Sequence, residues 1–185
     1  MMKHLLYLLS AVFTLSGCVI ANTAGFFSGY KKLSEKEKSK VIFTSPSENI
    51  CARANDSKIY AITGSQLLNC MMGNDTSVVY RWSPHCHSDM CITIETAQRY
   101  CDKMNYKLYI VADYYDIGIM ERQHTIPGPL FIPNHKYYKA DFCGKYNKRF
   151  TGDLLNGAAL NKEERFGRFL FFKGDKVLFA RNRLF

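Results

Sequence analysis

The chain has 185 residues, with 25 lysines and arginines against 16 aspartates and glutamates, a formal net charge of +9. Apolar residues make up 47% of it and aromatic ones 14%, with no low-complexity tract, a composition that excludes a disordered or fibrous chain. The basic residues are scattered over Lys31, Lys32, Lys36, Lys38 and Lys40 and again over Lys136, Lys139, Lys145, Lys148 and Arg149. No basic stripe, zinc-finger spacing or RNA-binding aromatic motif accompanies them, which argues against nucleic acid and leaves a solvated surface with some attraction to anionic headgroups.

Leu5 to Leu15 is an apolar run behind Lys3 and His4. It is too short to span a bilayer as a helix and fits the h-region of a cleavable signal peptide. Leu15-Ser16-Gly17-Cys18 follows it and resembles the lipobox of bacterial lipoproteins: a Leu or branched residue, two small residues that fit a peptidase groove, then a cysteine. The resemblance implies that the Cys18 sulfur receives a diacylglyceryl group, that the bond before it is cut, and that the new amino terminus is acylated. Several acyl chains on one cysteine anchor durably, since each buried methylene contributes roughly 0.8 kcal/mol. Residues 1–17 are then the signal, residues 18–33, with Asn22, Gly25, Ser28 and Gly29, a tether, and residues 34–185 a single domain. Loss of Lys3 lowers the net charge to +8. The expected address is the bacterial cell envelope, with the partner a membrane reached through lipid on Cys18. Val19 and Ile20 lack the Asp retention signal of the enterobacterial kind, which favours the outer membrane where such sorting applies. An ordinary secreted protein with an unmodified Cys18 is the competing reading.

Ser34 with Glu35 and Glu37 behind it predicts a brief capped helix, and Ser45-Pro46-Ser47 breaks the chain. Lys58 to Thr63 reads as a strand, Gly64-Ser65 as turn and cap, and Gln66 to Met72 as a short helix closed by Gly73-Asn74. Ser77 to Trp82 is a second strand, broken by Ser83-Pro84. Ile94, Ala97, Cys101 and Met104 recur at helical spacing, and Lys107 to Asp113 is a nearly all-apolar strand of the kind covered on both faces. A short helix over 116–124, a strand at Leu130-Phe131-Ile132, a helix from Tyr138 to Leu155 and a hairpin of 168–172 with 176–180 across Lys173-Gly174-Asp175 complete the chain. Strands alternating with helices imply parallel crossovers in one sheet, an α/β fold.

With Cys18 given to lipid, Cys51, Cys70, Cys86, Cys91, Cys101 and Cys143 remain, an even number in a compartment where disulfides persist. The sequence leaves their pairing open. The order strand, helix, strand ending in Trp82-Ser83-Pro84-His85-Cys86, helix, strand, then Ile126-Pro127 before a strand and hairpin, resembles the thioredoxin-like fold. It is similar to the membrane-linked thioredoxins of bacterial envelopes, in which a Trp stands four residues before the first active Cys, as Trp82 does before Cys86. The resemblance covers roughly residues 58 to 180. It implies a central mixed sheet flanked by helices, with an extra helix between the strand after Pro127 and the hairpin. It also implies a thiol-disulfide oxidoreductase without cofactor, acting on protein thiols or disulfides, with Pro127 against the site.

A cysteine at a strand-to-helix junction is expected near unpaired N–H groups and the positive end of a helix dipole, which stabilise the thiolate that attacks. Cys86 fits that role. The family's second Cys lies three residues later, where Asp89 stands, whereas Cys91 lies five later. Residues five apart on an ideal helix have Cα atoms about 8.6 Å apart, and a disulfide needs less than about 7 Å. Cys86 and Cys91 therefore pair only if Cys86 lies in a loop outside the helix. Asp89 raises the pKa of a neighbouring thiol, and protonated His85 or His87 lowers it.

Three other readings stand beside this one. The Cys-x4-Cys pair after Ser83-Pro84-His85 resembles the atypical peroxiredoxins, although Val79 occupies the place of their proline and no activating Arg stands out. His85, Cys86, His87 and Cys91 offer soft and imidazole ligands, and similarity to copper-handling thioredoxin-like lipoproteins adds His124 or His135, at spacing wrong for zinc. The last is a non-enzymatic envelope or cell-surface binding module, in which Cys86–Cys91 and Cys51–Cys70 or Cys101–Cys143 are structural bridges, Trp82 is core and Asp113 a turn residue.

Overall fold

The computed structural model describes residues 24–53, 56–86, 88, 90–123, 125, 128–161, 163–164 and 167–185. The signal segment and Cys18 lie outside them. Strands β1 (Val41–Phe43), β2 (Ile59–Ile62), β3 (Ser77–Trp82), β4 (Lys107–Ala112), β5 (Leu130–Pro133), β6 (Phe169–Lys173) and β7 (Lys176–Arg181) form one sheet in the order β1-β2-β5-β4-β3-β6-β7. Neighbours from β1 to β3 are parallel; β6 lies antiparallel to β3 and β7 antiparallel to β6. The α-helices among the described residues are α1 (Glu35–Lys38), α2 (Gly64–Met71), α3 (Ile94–Met104), α4 (Ile117–Gln123) and α5 (Cys143–Leu155), and one 3-10 turn covers Tyr30–Lys32.

Alternation along each strand divides the apolar residues between two faces. Val78, Tyr80, Trp82, Ile110, Leu130, Ile132 and Phe169 meet Ile94, Ala97 and Cys101 of α3 and Ile117 and Met120 of α4. On the other face Val79, Val111, Phe131, Leu170 and Phe172 meet Leu67, Leu68 and Met71 of α2 and Tyr146, Phe150 and Leu154 of α5. The result is a three-layer α/β/α molecule. Helix α2 carries the chain from β2 past β5 and β4 to β3 on one face, and α3 and α4 bring it back to β4 and then β5 on the other. Such a reversal opens a crevice at the carboxyl ends of the strands, where α/β proteins place their sites.

The helix starts follow local chemistry. Thr63 and Gln66 form a capping box ahead of α2, and the Thr93 hydroxyl accepts from the Thr96 N–H ahead of α3. Asn105, at φ 55°, ends α3 in the left-handed conformation. Met104 stands at the helical spacing but is exposed, because the apolar stripe ends with the helix. The helix expected from Tyr138 begins at Cys143, since residues 134–140 are taken up by turns in which Lys139 has φ 48°. β1 has no counterpart among the expected strands: three residues are too few to show a period.

Residues 24–33, expected as a tether, are docked. The Ser28 N–H donates to the Asp141 carbonyl (2.7 Å), the Tyr115 N–H to the Ser28 carbonyl (2.7 Å) and the Cys143 N–H to the Phe26 carbonyl (3.0 Å). The Ser28 hydroxyl also donates to the Asp141 carboxylate, and Leu33 is buried. Gly29 has φ 81°, and a Cβ there would lie 2.6 Å from the Tyr115 carbonyl oxygen, so only glycine lets the segment approach this closely. Its small residues are thus a condition of docking and not a sign of slack. The strands and the buried residues of both core layers all come from residue 33 onward, with Tyr30 packed against one layer, so a polypeptide without the signal segment keeps every described contact. Among the described residues no helix is long and apolar enough to cross a membrane.

Candidate functional site

A cavity of about 1280 Å³ opens at the carboxyl ends of β3 and β4. One side is the loop after β3, with Ser83, His85, Cys86 and Ser88; Arg81 and Asp113 stand at the strand ends; Asn147, Lys148 and Thr151 of α5 form the far wall. Helix α5 is tied to the end of β4 by two donors on one acceptor, since the Tyr146 hydroxyl (2.5 Å) and the Asn147 amide (3.1 Å) both donate to the Asp113 carbonyl.

After β3 the described residues 83–86, 88 and 90–92 belong to no helix or strand, and Thr93 then caps α3. Pro84 is buried and a turn follows it, the Cys86 N–H donating to the Ser83 carbonyl (3.0 Å); a second turn joins the Cys91 N–H to the Ser88 carbonyl (2.8 Å). These two turns bring the Cα atoms of Cys86 and Cys91 to 5.8 Å, and the two sulfurs are joined as a disulfide. Both cysteines are half-buried and outside any helix, the condition that five-residue spacing imposes. The Ser88 hydroxyl lies 3.6 Å from the Cys86 sulfur and 3.3 Å from that of Cys91. The expected dipole at Cys86 is absent: α3 begins at Ile94, and the field of a helix end falls off within one turn.

His85 is held from two sides. Its N–H donates to the Tyr114 hydroxyl (3.1 Å), its ring lies parallel to the Tyr114 ring with centroids 6.1 Å apart, and its Nε2 lies 2.7 Å from the Asp116 carboxylate. Asp116 also caps α4 through the Ile119 N–H (3.1 Å), so it fixes helix and imidazole together. Asp113 is half-buried, its open surface facing the cavity. Burial pushes its carboxyl above the usual carboxylate range, and the Arg81 and Arg168 guanidinium groups offset part of that.

The other cysteines sort themselves by layer. Cys51 and Cys70 form a second disulfide, with Cα atoms 5.0 Å apart. Cys101 and Cys143 are free and buried on opposite faces of the sheet, which rules out a bridge between them. Burial pushes their thiols up to about 12 and about 11. Trp82 is packed in the core.

Of the residues expected at the site, the fold brings Cys86, Cys91 and His85 together. Pro127, His87, Asp89 and His124 lie outside the described residues. The strand that Pro127 precedes, β5, is separated from β3 by β4, and, being parallel to both, it enters the sheet at the end from which the cysteine loop does not emerge. The strand lying antiparallel beside β3 is β6, entered through Gly167 and Arg168; the Arg81 N–H donates to the Arg168 carbonyl (2.8 Å). His135 sits in an aromatic cluster with Tyr30, Phe43 and Tyr115, its Nδ1 3.2 Å from the Tyr115 hydroxyl, and desolvation lowers its pKa. Among the described residues no group of three or more His, Cys, Asp or Glu is placed to hold a metal ion. Arg81, Asp116 and the α5 wall are functional candidates that sequence reasoning misses; for Arg81 the available signal was its place beside Asp113 at the ends of two strands.

Fold and cleft define a three-layer α/β protein with a disulfide at the rim of a crevice at the carboxyl edge of its sheet. Comparison with known proteins finds no match to a family model, to a curated sequence or to a solved structure.

Proposed function

We propose that the chain is a lipoprotein of the bacterial envelope, anchored through Cys18, that exchanges disulfides at Cys86 and Cys91 on a thioredoxin-like scaffold. The observation that carries the reading is the placement of this pair in a short, half-exposed loop on the rim of a cavity large enough for part of a second polypeptide. A mixed sheet flanked by helices, an inserted helix α5 and a terminal hairpin support the scaffold, whereas the parallel insertion of β5 departs from the resemblance. In the exchange, the Cys86 thiolate attacks one sulfur of a substrate disulfide and the other leaves as a thiolate. Cys91 then attacks the Cys86 sulfur and expels the second substrate thiol. Two electrons pass to the substrate, and the pair ends as the disulfide seen here; the reverse sequence oxidises a dithiol.

The test uses the polypeptide from residue 19 onward. Reduced protein is mixed with oxidised glutathione and the products are identified by mass spectrometry. Cys91→Ser is expected to accumulate a mixed disulfide on Cys86, and Cys86→Ser to lose exchange. A Cys86–Cys91 bridge that resists a dithiol at neutral pH while the fold persists sinks the exchange reading and favours a binding module with two structural bridges. Palmitate labelling of the full chain in a bacterial host tests the anchor, and loss of label in Cys18→Ala is the expected result.

A further inference from the structure

Three phenylalanines meet on the surface where the described chain begins. Phe26, Phe27 and Phe142 are 37%, 40% and 43% exposed, yet their rings touch: Phe26 lies 5.0 Å from Phe27 and 5.0 Å from Phe142, centroid to centroid, in edge-to-face pairs. The backbone fixes the group, because Phe27 and Phe142 form an antiparallel bridge and the Cys143 N–H donates to the Phe26 carbonyl. Clustered rings left open to water mark a surface that something covers, whereas scattered ones need no explanation.

We propose that this patch is a membrane-docking face, which seats the domain on the surface of the bilayer that holds its anchor. The inference rests on lipidation of Cys18. From Cys18 to Ala24 is six residues, and an extended chain reaches at most about 3.6 Å per residue. The patch therefore lies within a few tens of ångströms of the acylated sulfur, close enough for its rings to reach the same bilayer surface. The charge around it suits an anionic surface. Lys31 has 82% of its side chain exposed, and Lys145 is exposed one helical turn from Phe142. Asp141, next to Phe142 in the chain, is engaged by Lys31 (3.3 Å) and by the Ser28 hydroxyl. Aromatic rings between lysines are the composition that settles at headgroup depth, the rings inserted and the ammonium groups on phosphate.

Docking would set the orientation of the cleft. Ala24, Gly25, Cys143 and Gly144 line the cavity and are chain neighbours of the three rings. The cavity mouth then adjoins the bilayer surface, so the exchange partners it admits are polypeptides held at, or emerging from, the membrane.

The test uses the polypeptide from residue 19 onward, which lacks both lipid and signal, with vesicles of phosphatidylcholine alone or with phosphatidylglycerol. Cosedimentation with the phosphatidylglycerol vesicles is expected. Phe26→Ser with Phe27→Ser and Phe142→Ser leaves the charge unchanged and is expected to lower the partition coefficient by about tenfold or more. Should that variant fail to fold, Phe27→Trp keeps the ring and reports by itself: its emission should shift to the blue on adding vesicles, over the constant background of the buried Trp82. Equal partition of the folded triple variant, absence of a blue shift in Phe27→Trp, or vesicle-independent dimerisation abolished by the triple variant each overturns the proposal, the last because a second copy then covers the patch. Palmitate labelling of the full chain is read separately, so failure of the anchor is distinguishable from failure of the face.

Discussion

Helices α2 and α5 cross where Gly64 begins α2, and one methyl group there should have a calculable cost. A Cβ on Gly64 would collide with the Phe150 carbonyl oxygen and lie 2.6 Å from the Leu154 nitrogen and 2.9 Å from the Asp153 Cβ. Two of these atoms belong to the α5 backbone and cannot rotate away, so the helices must separate by roughly 1 Å. That loosens Leu67, Leu68, Phe150 and Leu154 in one core layer. Overpacking of this kind costs about 1–3 kcal/mol, and exchanging Gly for Ala in a helix returns up to about 1 kcal/mol. Gly64→Ala is therefore expected to destabilise by about 2 kcal/mol, or about 4–8 °C in Tm for a chain of this size. Gly152, inside α5 with nothing within 4 Å of the place a methyl group would take, supplies the opposite sign. Gly152→Ala should stabilise by about 0.5–1 kcal/mol. Urea unfolding of both variants, with unchanged m-value, measures the pair. Equal stability of Gly64→Ala and the parent, or equal loss in the two variants, would refute the close α2–α5 crossing and with it the position of the wall that α5 gives the cleft.

Cys101 and Cys143 should resist alkylation in the native protein at pH 8 and react fully in denaturant, because burial holds both thiols far above that pH; rapid native labelling would contradict the two core layers. The Cys51–Cys70 bridge spans a separation of 19 residues, and in the chain-entropy model its removal by Cys51→Ser with Cys70→Ser should cost about 3 kcal/mol, measured by urea unfolding. Asp113 has a folded pKa raised by burial, so the native state holds its proton more tightly than the unfolded chain does. Its contribution favours folding below the unfolded value and is lost as pH rises through the folded one. Asp113→Asn is expected to raise stability at pH 7 and to flatten the pH dependence above the ordinary carboxylate range; an unchanged profile would place the carboxyl in water.

Several features of this protein were legible in its sequence because they depend on neighbours along the chain. The runs Ser77–Trp82 and Lys107–Ala112, the stripe through Ile94, Ala97 and Cys101, and the hairpin about Gly174 each carry their own period or turn. So does the requirement that Cys86 and Cys91 pair outside a helix, which follows from the rise and radius of the helix alone. Periodicity tells a strand which of its residues share a face, but not which strand lies beside it. Only the tertiary structure decided that β5 enters parallel between β2 and β4, that Cys101 and Cys143 lie on opposite faces of the sheet, and that residues 24–33 dock on 114–115 and 141–143. It also decided that Arg81, Asp113 and helix α5 enclose one cavity. These are contacts between residues remote in sequence, chosen by which layers bury the most apolar surface together, and no local signal in the chain encodes them.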